Sequence, residues 1–238
     1  ELNLKLGQLA MLGLRNEICQ FRLTQNLVFR VFGKEDNVLF QLALKLGWLN
    51  QVGVASEDPD ELVYAFFHST FQEYFASTVI NDWGIFFPRE PGDTPSMDIT
   101  DHENYHPYLV FKPSWKEVIL LWLGQDNIEV SEKELFLEKL LNFRDGCGDF
   151  YGYQACFLAA AGIKEFKDSH LSDRIIREMI RWSFGYFNDQ SNSWRLFLTP
   201  MEKGARAVLL ETDLRRAIAI LQDSLQKIKR EPIQEQAL

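Results

Sequence analysis

Apolar residues recur at helical spacing from the first positions of the chain. Leu2, Leu4, Leu6, Leu9, Ala10 and Leu14 predict an amphipathic helix. Residues 24–32 (TQNLVFRVF) predict a second, with Thr24 as its N-cap. Asp36 is placed to cap a third across Val38, Leu39, Leu42, Ala43 and Leu46, which closes at Gly47. The pattern then shortens. Residues 48–52 (WLNQV) and 63–67 (VYAFF) are apolar runs separated by the polar SEDPDE, which predicts a hairpin. In YAFFHSTFQEYFAS (64–77) the strand gives way to a helix over 69–81. Ser69 with Gln72 and Thr70 with Glu73 have the spacing of two overlapping capping boxes, and Phe71, Tyr74, Phe75 and Val79 mark the apolar stripe.

Three helices followed by a hairpin is the order of a winged helix-turn-helix. Residues 83–113 break the rhythm. They are rich in Pro, Asp and Glu and too long for an ordinary connection, which makes them a linker or a structured insertion. From Ser114 the pattern is all-helical. Ser114 with Glu117 and Ser131 with Glu134 have capping-box spacing at the starts of WKEVILLWLG and EKELFLEKLLNF. Further helices follow over YGYQACFLAAAG, DSHLSDRIIREMIRWSF, 200–211 and 213–229, with GYFNDQSNSW as a loop. The expected fold is mainly α: a winged helix-turn-helix with a small β-hairpin over 1–82, the loop or insertion 83–113, and an all-helical domain, HEAT-like or a bundle, over 114–238.

With 46% hydrophobic residues, the 238-residue chain can bury a sizeable core. Its formal net charge of −9, with no block of Lys and Arg, sets nucleic-acid partners at a disadvantage. Cys19, Cys147 and Cys156 lack C-x-x-C spacing and read as free thiols of a reducing compartment. No apolar run reaches the ~18 residues of a membrane span. The chain opens without Met and inside a periodic pattern, so it reads as a piece of a longer cytoplasmic protein.

Most candidate chemistry is weak. VFGKEDN lacks the first glycine of a phosphate loop (Val28 stands there), and Glu35 replaces its Ser or Thr. DGCGDFYGY (145–153) follows a helix rather than a strand and reads as a helix–helix turn, with Cys147 an inert thiol. His102 and His106, near Asp98, Asp101 and Glu103, suit a metal by residue type, but a solvated polar loop is the plainer reading. Glu132 and Glu134 lie on a charged helix face. The aromatic residues interleave with aliphatic ones and read as core, with WSFGYFND wedged between helices. The basic residues Lys227, Lys229 and Arg230 read as a solvated helix end.

His68 is different, because it sits where a strand meets a capped helix. The unpaired N–H groups of a helix start attract anions, and a neutral imidazole there can donate one hydrogen bond to a phosphate. Residue chemistry alone also allows a buried strand histidine bonded to a local carbonyl, and favours it.

FFHSTFQEYFAS resembles the end of the winged-helix domain of NACHT-family signalling NTPases, a group that includes the NOD-like receptors. The matching positions are Phe66, Phe67, His68, Phe71, Gln72, Glu73, Tyr74, Phe75 and Ala76, with Ser77 where Ala is usual. SWKEVILLWLG and DGCGDFYGYQACFLAAAGIKEFKD are similar to helical segments that follow in bacterial, especially cyanobacterial, members. The resemblance implies that His68 contacts the β-phosphate of bound ADP and helps hold a closed state. It implies ADP or ATP with Mg²⁺ as ligands of a full-length parent, with no cofactor held by this fragment alone and no ATP hydrolysis by it. The implied partners are an NTPase domain upstream, a sensor downstream and other copies on activation, and neither nucleic acid nor membrane. Two other readings stand beside it: an acidic interaction module or DNA-reading winged helix, and a free-standing enzyme built on His102 and His106.

Overall fold

The computed structural model describes residues 1–16, 20–56, 58–87, 108–144, 150–188 and 190–223. It is mainly helical with a small antiparallel sheet. The described residues divide into two compact units, one from residues 1–87 with 108–127, the other from 128–223.

In the first unit α1 (Leu2–Arg15) buries Leu6, Leu9, Ala10 and Leu14, the stripe that its sequence predicts. The two-residue strand β1 (Leu23–Thr24) leads into α2 (Gln25–Phe32), whose first turn is capped by the Thr24 hydroxyl accepting from the Leu27 N–H. Helix α3 (Val38–Lys45) is capped by Asn37 rather than Asp36. The Asn37 side-chain oxygen accepts from the N–H groups of Leu39 and Phe40, at 2.9 and 3.3 Å. Its other end closes in a Schellman turn. The Trp48 N–H reaches the Ala43 carbonyl and the Gly47 N–H reaches that of Leu44, with Gly47 at φ 73°.

Strands β2 (Leu49–Val54) and β3 (Leu62–Phe66) pair antiparallel, and β1 adds to the other edge of β3, giving the order β1-β3-β2. The register shifts between Gln51 and Gly53, so β2 carries a bulge at Val52. Phe40 fills the space between helices and sheet, with its ring 5.8 Å from those of Phe29 and Phe32 and 5.5 Å from Tyr64. A second aromatic cluster joins the sheet to α4 (Ser69–Ser77) through Trp48, which lies edge-on to Phe71 and Phe75.

Helix α4 lies against α1 along two glycines. A Cβ on Gly7 would collide with Val79 and the Phe75 carbonyl, and one on Gly13 with Leu23 and the Gln72 amide. The α4 backbone therefore comes closer to α1 than any side chain would permit.

Short 3-10 turns at Trp83–Phe86, Leu109–Phe111 and Pro113–Trp115 follow, and then α5 (Lys116–Leu123). Sequence places this last helix with the C-terminal half, but it packs on α4 in the first unit. The Trp122 indole donates to the Ile80 carbonyl at 3.1 Å, and the Gln125 amide to that of Ser77 at 2.8 Å. Ser114 does not cap α5. It lies in the preceding 3-10 turn, and α5 has no side-chain cap.

The second unit contains α6 (Val130–Leu141), α7 (Phe150–Gly162), α8 (Ser172–Phe184) and α9 (Thr199–Leu209), with residues 214–223 also helical. Ser131 falls inside the first turn of α6 rather than at its cap. The expected loop after α8 is a hairpin of β4 (Tyr186–Asn188) and β5 (Ser193–Arg195), turned at Asn192 with φ 46°. Trp182 packs edge-on to Tyr153 and Phe157, whereas Phe184 and Phe187 of the same WSFGYFND stretch are exposed.

Gly7→Ala forces a methyl group into the α1–α4 seam. It is expected to lower the unfolding free energy of the first unit by about 1–3 kcal/mol, while Gln8→Ala at an exposed position of the same helix stays within about 0.5 kcal/mol. Urea titration followed by tryptophan fluorescence measures both.

Candidate functional site

The candidate site is the junction of β3 and α4. Phe66 is the last residue of β3 and is buried, while Phe67 is 71% exposed and His68 is exposed beside it. His68 keeps an extended backbone, φ −146° and ψ 151°, and is itself the N-cap of α4. The capping boxes drawn from Ser69 and Thr70 do not form. The cap lies one residue earlier, because the imidazole can do what a Ser or Asp oxygen usually does.

Its Nδ1 accepts the Thr70 N–H at 3.2 Å, and the Thr70 hydroxyl lies 3.0 Å from the same nitrogen. A ring that accepts at Nδ1 carries its proton on Nε2. The neutral side chain thus spends its acceptor on the helix and keeps one donor for something else. This is an exposed histidine, so the buried-strand alternative does not describe it.

Gln72 and Glu73 also leave their expected roles. Gln72 is 1% exposed and faces α1. Its amide donates to the Gln20 carbonyl at 2.7 Å and the Ala10 carbonyl at 3.5 Å, tying α4 to the end of α1. Glu73 is half-buried, and burial raises its carboxyl above the ordinary value of 4.5. The Glu117 carboxylate on α5 adds to the rise, and His68 partly offsets it. The electrostatics of the junction therefore combine a helix N-terminus, one imidazole donor and two carboxylates.

Other residues singled out by sequence lie elsewhere. Gly33 closes α2 at φ 90° with Lys34 exposed after it, a helix end and no phosphate loop. Cys156 lies within α7, and burial, with the Glu178 carboxylate, pushes its thiol up to about 11, so it is no thiolate at neutral pH. Cys19, Cys147, His102, His106 and the basic tail residues fall outside the described residues. Among the described residues no group of three or more His, Cys, Asp or Glu side chains is placed to hold a metal. None of the described helices is long and apolar enough to cross a membrane.

Glu134 is more than a solvated carboxylate. It accepts from the Ser169 hydroxyl and the His170 N–H, both at 2.9 Å, and the His170 Nδ1 lies 3.1 Å from it. The side chain thereby orders the turn that leads into α8. A serine, a histidine and a carboxylate meet here, but the Ser169 hydroxyl bonds the carboxylate and Ser169 is buried, so no activated nucleophile results.

Compared with known protein families, with curated proteins and with solved structures, the chain matches none.

Because the Glu73 carboxyl is raised in the folded state, its contribution to stability is full below the ordinary carboxylate range. It is lost as pH rises from about 4.5 through the raised value. Glu73→Gln removes the half-buried charge and its repulsion from Glu117. The variant is expected to show a higher urea midpoint than the wild type at pH 7 and an equal one at pH 4. A wild type that is the more stable of the two at pH 7 contradicts this account.

Proposed function

We propose that residues 1–82 act as the winged-helix part of a nucleotide-switched, NACHT-type signalling ATPase, in which His68 donates a hydrogen bond to the β-phosphate of ADP. In this reading the phosphate's main cradle and its Mg²⁺ belong to an NTPase domain of the same protein, and the helical second unit relays the switch toward a sensor.

One observation carries the reading. His68 is exposed at the start of α4 with Nδ1 committed to the Thr70 N–H, which leaves Nε2–H as an outward donor next to a helix N-terminus. The element order α1, β1, α2, α3, β2, β3, with a hairpin after the third helix, is what a winged helix-turn-helix requires. Glu73 and Glu117 add negative charge nearby, so this junction alone is a poor anion site. That fits a side chain that completes a phosphate site built by another domain.

The DNA-reading alternative gains little from α3, the helix in the recognition position. Val38, 78% exposed, and the exposed Leu42 and Leu46 form its open stripe, and Lys45 is its single basic residue. Such a face suits an apolar protein partner better than a phosphate backbone.

The test separates capping from ligand binding within the full-length protein. His68→Asp keeps a good N-cap, so the stability of the first unit is expected to stay within about 0.5 kcal/mol of wild type. The same variant places a carboxylate against the phosphate and is expected to shorten ADP retention at least about ten-fold, a loss of ~1.4 kcal/mol. His68→Ala loses both cap and donor. Unchanged ADP retention in both variants would rule the clamp out.

A further inference from the structure

The second unit carries an apolar surface that its own core leaves uncovered. Phe184, Phe187, Trp194, Leu196 and Leu198 fall within fifteen positions and are between 47% and 70% exposed. Scattered exposed apolar residues are ordinary, but this group lies on one anchored hairpin and the residues flanking it.

The anchoring is specific. Gly185 ends α8 at φ 83°, where a Cβ would collide with the Arg195 carbonyl and crowd the Trp194 indole. The Trp194 indole N–H donates to the Phe184 carbonyl at 2.8 Å. The Arg181 guanidinium lies over the rings of Tyr186 and Phe197, at 4.8 and 5.7 Å. Arg206 lies over Phe184 at 5.6 Å, donates to the Ser183 carbonyl at 3.1 Å and pairs with Glu202 at 2.8 Å. Tyr186 is opposite Arg195 in the register, and Phe187 is opposite Trp194. Directly opposed residues share a face, so Phe187 and Trp194 stand together on one side while Tyr186 is held by Arg181 on the other.

We propose that the β4–β5 hairpin is a docking surface for an extended, acidic protein segment with aromatic or aliphatic side chains at alternate positions. Three features select this occupant. First, among the described residues this sheet has two strands, so β4 and β5 each offer an outer edge to an added strand. Second, the Phe187–Trp194 pair and Leu196 offer apolar contacts to the side chains that alternate along such a segment.

Third, the local charge is opposite to that of the chain. Residues 177–206 contain five basic side chains (Arg177, Arg181, Arg195, Lys203, Arg206) and three acidic ones, whereas the whole chain carries 25 basic and 34 acidic. Arg177, Arg181 and Arg206 are ion-paired, which leaves Arg195 on the hairpin and Lys203 on α9 as exposed cations, and charge complementarity to these favours an acidic partner. The aliphatic Leu196 and Leu198 favour a peptide over a single-stranded nucleic acid, which would need more stacking rings and more cations.

The experiment uses the full chain and two labelled ten-residue peptides. One alternates glutamate with isoleucine and phenylalanine, and the other has lysine in place of each glutamate. In fluorescence anisotropy the acidic peptide is expected to bind with a micromolar Kd, about ten-fold or more tighter than the basic one, and to weaken as salt rises. Phe187→Ser, Leu196→Ser and Arg195→Glu touch exposed side chains and are each expected to weaken it at least about five-fold, with unchanged circular dichroism. Equal binding of the two peptides, or full binding by all three variants, overturns the proposal. So does tighter binding of an oligothymidylate than of the acidic peptide. Self-association of the wild type that Phe187→Ser abolishes in sedimentation equilibrium would assign the surface to a second copy and likewise overturn it.

Discussion

The first unit depends on how closely α1 and α4 approach each other. Gly7 and Gly13 remove the side chains that would hold the helices apart, and the amide of Gln72 occupies part of the space so opened. A buried amide without partners costs about 1–3 kcal/mol, so Gln72 tolerates only the position in which it reaches the Gln20 and Ala10 carbonyls. That requirement fixes α4 along and around its axis. With α4 fixed, Phe75 meets Trp48, the hairpin is joined to the helices, and His68 is held just past the end of the central strand β3.

In the proposed function one ring, that of His68, serves structure and recognition at once. Its two nitrogens have different duties because the Thr70 amide settles which one carries the proton. A serine or aspartate would cap α4 as well but would offer a phosphate no outward N–H. A lysine would offer charge but no cap. Under that proposal the residue type answers a pair of demands, of which the structure displays the cap. Glu73 and Glu117 limit what the junction can do unaided, since their charge opposes the anion that the helix start attracts.

Much of the fold was legible because it rests on local pattern. The α1 stripe, the Thr24 cap, the Gly47 stop and the two hairpin strands follow from periodicity and turn chemistry and stand where sequence placed them. Sequence failed where two residues competed for one task. Asn37 outcompeted Asp36 as a cap, and His68 outcompeted Ser69 and Thr70, because cap position depends on where the chain leaves the extended conformation. Gln72 had a readable signal that the capping-box pattern obscured. It shares a helical face with the buried Phe75 and Ala76, where a polar side chain must find partners inside. Strand β1 and the β4–β5 hairpin are too short for periodicity, and the tie between Glu134 and His170 spans 36 positions. Only tertiary structure reveals these.

The placement of α5 bears on how the protein can be cut for study. A boundary drawn at residue 82 or 113, where composition changes, would strip away Trp122 and Gln125 and leave the carbonyls of Ile80 and Ser77 without their donors. The cut at 113 would also open the ring of Phe86, which lies 5.7 Å from that of Trp122, to water. A recombinant piece of the first unit should therefore run through residue 127, with residues 88–107 retained between its two parts. In this chain the change in composition does not mark the end of the folding unit, to which residues 108–127 belong together with 1–87.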